Sequence, residues 1–170
     1  FNSKNKDSIG MLIFGKVKMK KVHIEKGNVA NRSMAFTLAN IMLKDGIDAA
    51  LAYHKKAKDS TNYFLTEIDM SYAGMELIEN KKNKEAIALL KLDTELFGGN
   101  FNAYDSYGEA LFLSGDKTQA ITAFKESIKL NPGSKNGIKR LKELGVNPDD
   151  VVKPIKISDE ELKLLEDQPE

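Results

Sequence analysis

FNAYDSYGEALFLSGDKTQAITAFKESIKLNPGS, residues 101–134, repeats the pattern of the stretch directly before it, EIDMSYAGMELIENKKNKEAIALLKLDTELFGGN, residues 67–100. Aligned without a gap, the two copies share small or apolar residues: Ala73-Gly74 falls on Tyr107-Gly108, Ala86-Ile87 on Ala120-Ile121, and Leu90 on Phe124. A period of about 34 residues is typical of one helix–turn–helix unit in a repeat array. The stretch therefore predicts an all-α chain of stacked helical hairpins.

The sequence around this stretch carries the same helical signals. Apolar residues recur near every 3.6 positions across residues 33–145, which is the period of an amphipathic helix. Asp116 and Gln119 have the spacing of a capping box and predict a helix beginning at Lys117. The run Leu144-Gly145-Val146 predicts a helix end with glycine in the left-handed conformation.

The second copy resembles the tetratricopeptide repeat (TPR) family at its signature positions: Tyr104, Tyr107, Gly108, Leu111, Gly115, Ala120, Phe124 and Pro132. Small residues at Gly108 and Ala120 allow the two helices of a hairpin to approach closely. Pro132 ends the second helix, because proline lacks the N–H group that a helix interior needs. The resemblance implies a TPR-like α–α superhelix.

A third, less regular copy lies upstream, where Leu38-Ala39, Gly46 and the set Ala50, His54 and Ala57 match the signature. Its turn is one residue shorter than in the other copies. After Pro132 a single helix remains, and it closes the stack as a cap. We therefore expect three hairpins and a cap, over residues 33–60, 67–100, 101–134 and 135–145.

The two ends of the chain carry opposite charges. Residues 1–32 hold eight Lys or Arg and two Asp or Glu, whereas residues 146–170 hold three Lys and eight Asp or Glu. Lys16, Lys18 and Lys20 alternate with Val17 and Met19. This alternation predicts an extended basic arm or linker with one solvent-exposed face. The acidic tail is expected to include a short helix capped by Ser158 and Glu161.

Little in the sequence points to catalysis. The chain has no cysteine and only two histidines, His23 and His54, which excludes disulfides, thiolate zinc sites and a multi-histidine metal site. Ser3-x-x-Lys6 formally matches a serine-nucleophile motif, but it lies in a polar terminus, and we interpret it as a chance match. We expect no enzyme activity, no cofactor and no metal. No apolar run approaches the roughly 18 residues needed to cross a bilayer.

The TPR resemblance implies that the first helix of each hairpin lines a concave groove. We expect these groove residues: Phe36, Asn40 and Leu43; Ile68, Ser71, Met75 and Ile78; Asn102, Asp105, Glu109 and Phe112. Asp105 and Glu109 could hold a cation or act as acid and base, but we favour a solvated acidic end of an apolar groove. Such a groove suits a neutral or basic peptide, or a segment of the same polypeptide, rather than a partner's terminal carboxylate.

A wider resemblance rests on Lys44-Asp45-Gly46-Ile47-Asp48-Ala49-Ala50, on Asn102-Ala103-Tyr104-Asp105-Ser106-Tyr107-Gly108-Glu109-Ala110, and on the turn Gly115-Asp116-Lys117. With these the chain is similar to the C-terminal repeat region of bacterial exported serine hydrolases of the β-lactamase and penicillin-binding-protein class. This implies a non-catalytic accessory module of a larger protein, with the catalytic residues upstream of Phe1. It favours an exported or periplasmic location and leaves a cytoplasmic one open.

Three alternatives remain from the residues themselves. The chain could be a stand-alone adaptor for a neutral or basic peptide, an enzyme, or a basic nucleic-acid adaptor using residues 16–26. The last is disfavoured because the arm has no arginine cluster and no aromatic residue among its lysines for base stacking.

Overall fold

The computed structural model of the protein describes residues 32–152. The predicted basic arm up to residue 31 and the acidic tail from residue 153, with Ser3, Lys6, His23 and the helix capped by Ser158, lie outside the described residues. The prediction of an all-α fold is confirmed within that range. Its seven α-helices are α1 (Met34–Asp45), α2 (Ile47–Ala57), α3 (Glu67–Glu79), α4 (Asn83–Leu96), α5 (Phe101–Leu113), α6 (Lys117–Leu130) and α7 (Lys135–Glu143).

Consecutive helices pack as antiparallel hairpins, α1 with α2, α3 with α4, and α5 with α6. Helix α5 also packs against both helices of the preceding hairpin, and α7 packs against α6 and α5. Each first helix therefore lies against the hairpin before it, so neighbouring hairpins share a packing surface. A 3-10 helix (Pro148–Asp150) follows α7 and contacts it.

Two glycines set how closely the helices of a hairpin approach. A β-carbon added at Gly108 would lie 2.8 Å from the ring of Phe124, and one added at Gly74 would lie closer still to the Leu90 side chain. Both separations are too short for a real side chain, so any residue larger than glycine would push α3 from α4 or α5 from α6. The glycine predicted to permit close helix contact at Gly108 is therefore at such a contact.

Side-chain N-caps recur at equivalent positions before α3, α5 and α7. The N-cap residues of α3, α5 and α7 are Thr66, Asn100 and Ser134, and each side chain accepts a hydrogen bond from a backbone N–H of its own first turn. The predicted start of α6 at Lys117 is confirmed, because the Asp116 carboxylate accepts a hydrogen bond from the Gln119 N–H at 3.0 Å. Such caps satisfy N–H groups that have no partner inside the helix.

The helix ends repeat as well. At Gly145 the predicted left-handed stop is confirmed, with φ of 77° and hydrogen bonds from Gly145 and Val146 back to α7. Gly115 ends α5 in the same way, with φ of 91°. The equivalent position after α3 is Lys81, with φ of 60°. A lysine thus takes a conformation that normally favours glycine.

The first hairpin departs from the pattern of the other two. Its helices are joined through Gly46 alone, as the shorter turn in the sequence predicts. Helix α1 packs against both α3 and α4, whereas the substantial contacts of α2 among the described elements are with α1. A short parallel ladder, β1 (Arg32–Ser33) with β2 (Tyr63–Phe64), ties the start of this hairpin to its end.

The apolar core has two parts. One lies around α1, α3 and α4 and includes Leu38, Met70 and Leu89. The other lies around α5, α6 and α7, where Leu141 of α7 is fully buried against Phe124 and its neighbours. Val151 and Val152 pack against this second part. The segment after α7 thus adds apolar contacts to the second part of the core.

Candidate binding surface and buried polar seams

The most exposed large apolar side chains of residues 32–152 lie on α3. Ile68 is 60% exposed and Tyr72, one turn further on, is 66% exposed. Met75 and the exposed Glu79 continue the same helix face at spacings of three and four residues. The equivalent positions in the next repeat are Asn102, Ser106, Glu109 and Leu113 of α5. We call these eight residues the first-helix strip.

The predicted groove residues fall into three structural groups. Ile68 is exposed and Met75 is half-buried on the first-helix strip. Phe36, Leu43 and Ile78 are half-buried against the first part of the core, and Asn40 is half-buried on α1. The remaining predicted residues, Ser71, Asn102, Asp105, Glu109 and Phe112, contact side chains of neighbouring helices.

Ser71 belongs to a buried polar cluster between α3, α4 and α5. We call it the middle seam, and its members are Glu67, Ser71, Asp93, Asn100, Asn102 and Ser106. The Ser71 hydroxyl lies 2.8 Å from a Glu67 oxygen and 2.9 Å from the Ser106 hydroxyl. Asn102 donates a hydrogen bond to Glu67 at 2.7 Å, and Asn100 donates another at 3.2 Å. Three helices are therefore joined by polar contacts as well as by the apolar core.

Asp93 is the least satisfied member of the middle seam. Its side chain is fully buried, its Oδ1 has no hydrogen-bond partner within residues 32–152, and its Oδ2 lies 3.5 Å from the Ser71 hydroxyl. Burial, followed by the nearby charge of Glu67, raises the pKa of the Asp93 carboxyl to about 7. A buried carboxylate without a cation is costly, so the neutral form is favoured there.

A second cluster joins α5, α6 and α7. We call it the distal seam, and its members are Asp105, Ser127, Ser134 and Asn136. Both serine hydroxyls donate to Asp105 at 3.2 Å, and Asn136 donates to it at 3.0 Å. Burial raises the pKa of the Asp105 carboxyl, but these three hydrogen bonds act in the opposite direction.

Glu109 lies beside the distal seam and pairs with Arg140 of α7. The Arg140 guanidinium donates to both oxygens of the Glu109 carboxylate, and the two side chains are only 18% and 12% exposed. The same guanidinium lies 4.3 Å from the centre of the Phe112 ring. Asp105 and Glu109 thus differ from the expected solvated acidic pair, because Asp105 accepts hydrogen bonds from neighbouring elements and Glu109 forms an ion pair with Arg140 of the cap helix.

The two seams have serine and aspartate at equivalent positions, but the two residue types have changed places. Ser71 and Asp93 of the second hairpin correspond, one repeat further on, to Asp105 and Ser127 of the third. Each hairpin therefore contributes one carboxyl and one hydroxyl to its seam, from opposite helices. The middle seam carries a further carboxylate, Glu67, at a position where the next unit has Phe101.

His54 of α2, which matches the repeat signature in the upstream copy, is buried. Burial lowers its pKa, and the nearby Lys58 lowers it further, so the neutral imidazole is favoured. Within the described residues its Nε2 has no hydrogen-bond partner, so no acidic side chain there orients that nitrogen for catalysis.

Sequence reasoning missed Tyr72 and the partners of the seams. It selected Ser71 for the groove, but Ser71 and Tyr72 differ by about 100° around a helix, and only Tyr72 is exposed. The available signal was the pair Ile68 and Tyr72, two large apolar residues spaced by one turn on a helix that already had a complete apolar face.

The described part of the chain contains no cluster of three or more acidic or histidine side chains that could hold a metal ion. None of its helices combines the length and apolar character needed to cross a membrane. No protein-family model matches the sequence, and no curated protein matches it at a significant level.

Proposed function

We propose that this chain is a TPR-like superhelical module that binds an extended protein segment along the first-helix strip. The observation that carries the proposal is the exposure of Ile68 and Tyr72, at 60% and 66%, on a first helix whose other faces are packed. Contiguous exposed apolar side chains often mark an interaction surface. The module acts by binding and not by catalysis.

The TPR-like part of the proposal is supported by features that recur at equivalent positions in the second hairpin, the third hairpin and the cap helix. They include the pairs Gly74 with Leu90 and Gly108 with Phe124, the N-caps Thr66, Asn100 and Ser134, and the seam positions of Ser71 and Asp105. Each feature fixes how two neighbouring helices pack. Repetition of the same helix contacts at a constant period produces a superhelix with one continuous inner face.

The charge near the strip suggests the chemistry of the ligand. Glu76 and Glu79 lie one turn apart on α3, and neither forms an ion pair within residues 32–152. Burial and the charge of Glu79 raise the pKa of Glu76 to about 7. A lysine or arginine on the ligand would relieve this repulsion, so we propose a segment with apolar side chains and a basic residue.

Selection from a random peptide library against the full chain tests this function. We expect the selected peptides to combine apolar and basic residues, and their affinity to fall at least tenfold in Tyr72→Ala and in Glu79→Lys. Leu130→Ala is the matched control, because Leu130 is 45% exposed but lies on a second helix, away from the strip. Peptides that are acidic, or that depend on Leu130 and not on Tyr72, would contradict the proposal.

The larger protein to which the module belongs is a separate part of the proposal, and this part rests on the sequence resemblance. We propose that the module accompanies the catalytic domain of an exported serine hydrolase and has no hydrolytic activity of its own. The purified chain should not turn over a chromogenic β-lactam or a short-chain ester. Turnover that a point mutation in this chain abolishes would contradict it.

A further inference from the structure

The middle and distal seams occupy equivalent places but differ in how well their carboxyl groups are satisfied. Asp105 accepts hydrogen bonds from Ser127, Ser134 and Asn136. Within the described residues, Asp93 has one contact with a donor, the Ser71 hydroxyl at 3.5 Å, and its other oxygen has none. An unsatisfied buried acceptor is costly, and the cost is greatest when the group is charged.

The groups that face Asp93 from the surrounding helices do not compensate its charge. Helix α3 contributes Glu67, whose two oxygens are already occupied by Ser71, Asn100 and Asn102. Helix α5 contributes the neutral Asn102 and Ser106. The charge of Glu67 raises the pKa of Asp93, and within residues 32–152 no cationic side chain forms an ion pair with Asp93. The cluster therefore holds two carboxyl groups and no cation.

We propose that the middle seam is a proton-controlled joint between the second and third hairpins. In the packed joint the Asp93 carboxyl retains its proton, and loss of that proton loosens the packing of α5 on α3 and α4. Asp93 takes this proton from water when the joint closes, and the proton returns to water when the joint opens. The distal seam is expected to respond less, because hydrogen bonds from three donors oppose the rise that burial causes in the pKa of Asp105, whereas Asp93 has one donor contact at 3.5 Å.

The direction of the pH effect follows from the two states of Asp93. Its pKa is about 7 in the folded chain, against an ordinary value of 3.8 when the group is solvated. Between these values the packed state binds a proton that the open state has released. The stability of the joint therefore falls as pH rises from about 4 to about 7, and it is nearly constant below and above that window.

The joint also bears on the binding surface. Asn102 and Ser106 belong to both the middle seam and the first-helix strip, so opening the seam changes the spacing between the α3 and α5 parts of the strip. The proposal goes beyond the proposed binding function and does not depend on it. Its test uses no ligand, so the two can fail separately.

Amide hydrogen exchange of the full chain at pH 6 and pH 8, corrected for intrinsic rates, tests the joint. We expect the protection of α5 to fall about tenfold over this interval, which is the change for one group with a pKa near 7. Asp93→Asn should abolish the fall, because the amide supplies a donor and never ionises. Glu76→Gln is the matched control: that carboxyl has a pKa of about 7 but lies outside the seam, so the fall in α5 should persist.

Two results would overturn the proposal. One is an NMR titration of the Asp93 side-chain carbon that gives an ordinary acidic pKa. The other is an unchanged pH dependence of α5 protection in Asp93→Asn. If that variant does not fold, Asp93→Ser replaces it, because serine already occupies the equivalent position, Ser127, in the distal seam. Retention of the pH dependence in Asp93→Ser would equally contradict the joint.

Discussion

Among residues 32–152, Lys81 is the non-glycine residue with a positive φ. It ends α3 with φ of 60° and donates the same backbone hydrogen bond as Gly115 does after α5, to the carbonyl three residues earlier. For residues with a β-carbon this left-handed region costs about 1 kcal/mol. The Lys81 side chain is exposed, so glycine at this position would remove no buried side chain.

Replacing Lys81 with glycine should therefore stabilise the chain. We expect Lys81→Gly to raise the free energy of unfolding by about 0.5 kcal/mol, since relief of strain exceeds the added flexibility of the unfolded chain. Gly115→Lys is the reciprocal change and should lower it by about 1 kcal/mol. Urea denaturation measures both, and a loss of stability in Lys81→Gly would show that the turn is not strained.

For single residues, the sequence predicts those contacts that depend only on the neighbouring residues along the chain. Gly108, the Asp116 cap and the Gly145 stop follow from size, hydrogen bonding and backbone conformation within a few residues, and the structure places all three as expected. Ser71 and Asp105 were assigned to an open groove instead. Their partners Ser106 and Asn136 lie 35 and 31 residues away, and helical periodicity does not specify which of two adjacent residues faces a neighbouring helix.

Helix α7 is held to the array by polar contacts as much as by apolar ones. Only Gly137 and Leu141 of this helix are buried, whereas Arg140 binds Glu109 and covers Phe112. Glu109 in turn lies close enough to Asp105 for its charge to raise the pKa of that carboxyl. Arg140 thus pairs with two carboxylates, that of Glu109 on α5 and that of Glu143 on its own helix.

Replacing Arg140 should lower the free energy of unfolding by more than a surface ion pair contributes. We expect Arg140→Met to lower the free energy of unfolding by about 2 kcal/mol, because it leaves Glu109 buried and uncompensated. The double variant Arg140→Met with Glu109→Gln should recover most of that loss, because methionine still covers Phe112. Chemical denaturation of the four chains in this cycle gives the coupling energy. Additive effects would mean that the pair is effectively solvated.

Over the whole molecule, stability should be lowest in the first hairpin. Helix α2 buries only Ala50 and His54 and packs chiefly on α1, whereas α4 lies between α3, α5 and α1. In repeat arrays each unit depends on its immediate neighbours, so a helix with one neighbour opens first. The sequence indicates this difference, because the upstream copy is the one that matches the signature least completely.

Native-state hydrogen exchange can locate that opening. We expect amides of α2 to show protection factors about tenfold lower than those of α6, a second helix that buries five side chains and packs against both α5 and α7. The comparison is internal to one sample and needs no variant. Equal protection in α2 and α6 would indicate that the chain opens as a single cooperative unit.

The exchanged serine and aspartate of the two seams also have a consequence for folding fidelity. Neighbouring repeats of similar sequence risk forming hairpins from helices of different units. If α5 paired with α4 in place of α6, Asp105 would meet Asp93, and two carboxyl groups would be buried against each other. If α3 paired with α6, Ser71 would meet Ser127, and the second helix would contribute no carboxyl group to the contact. Only the native pairing joins one hydroxyl to one carboxyl, so each hairpin identifies its own second helix.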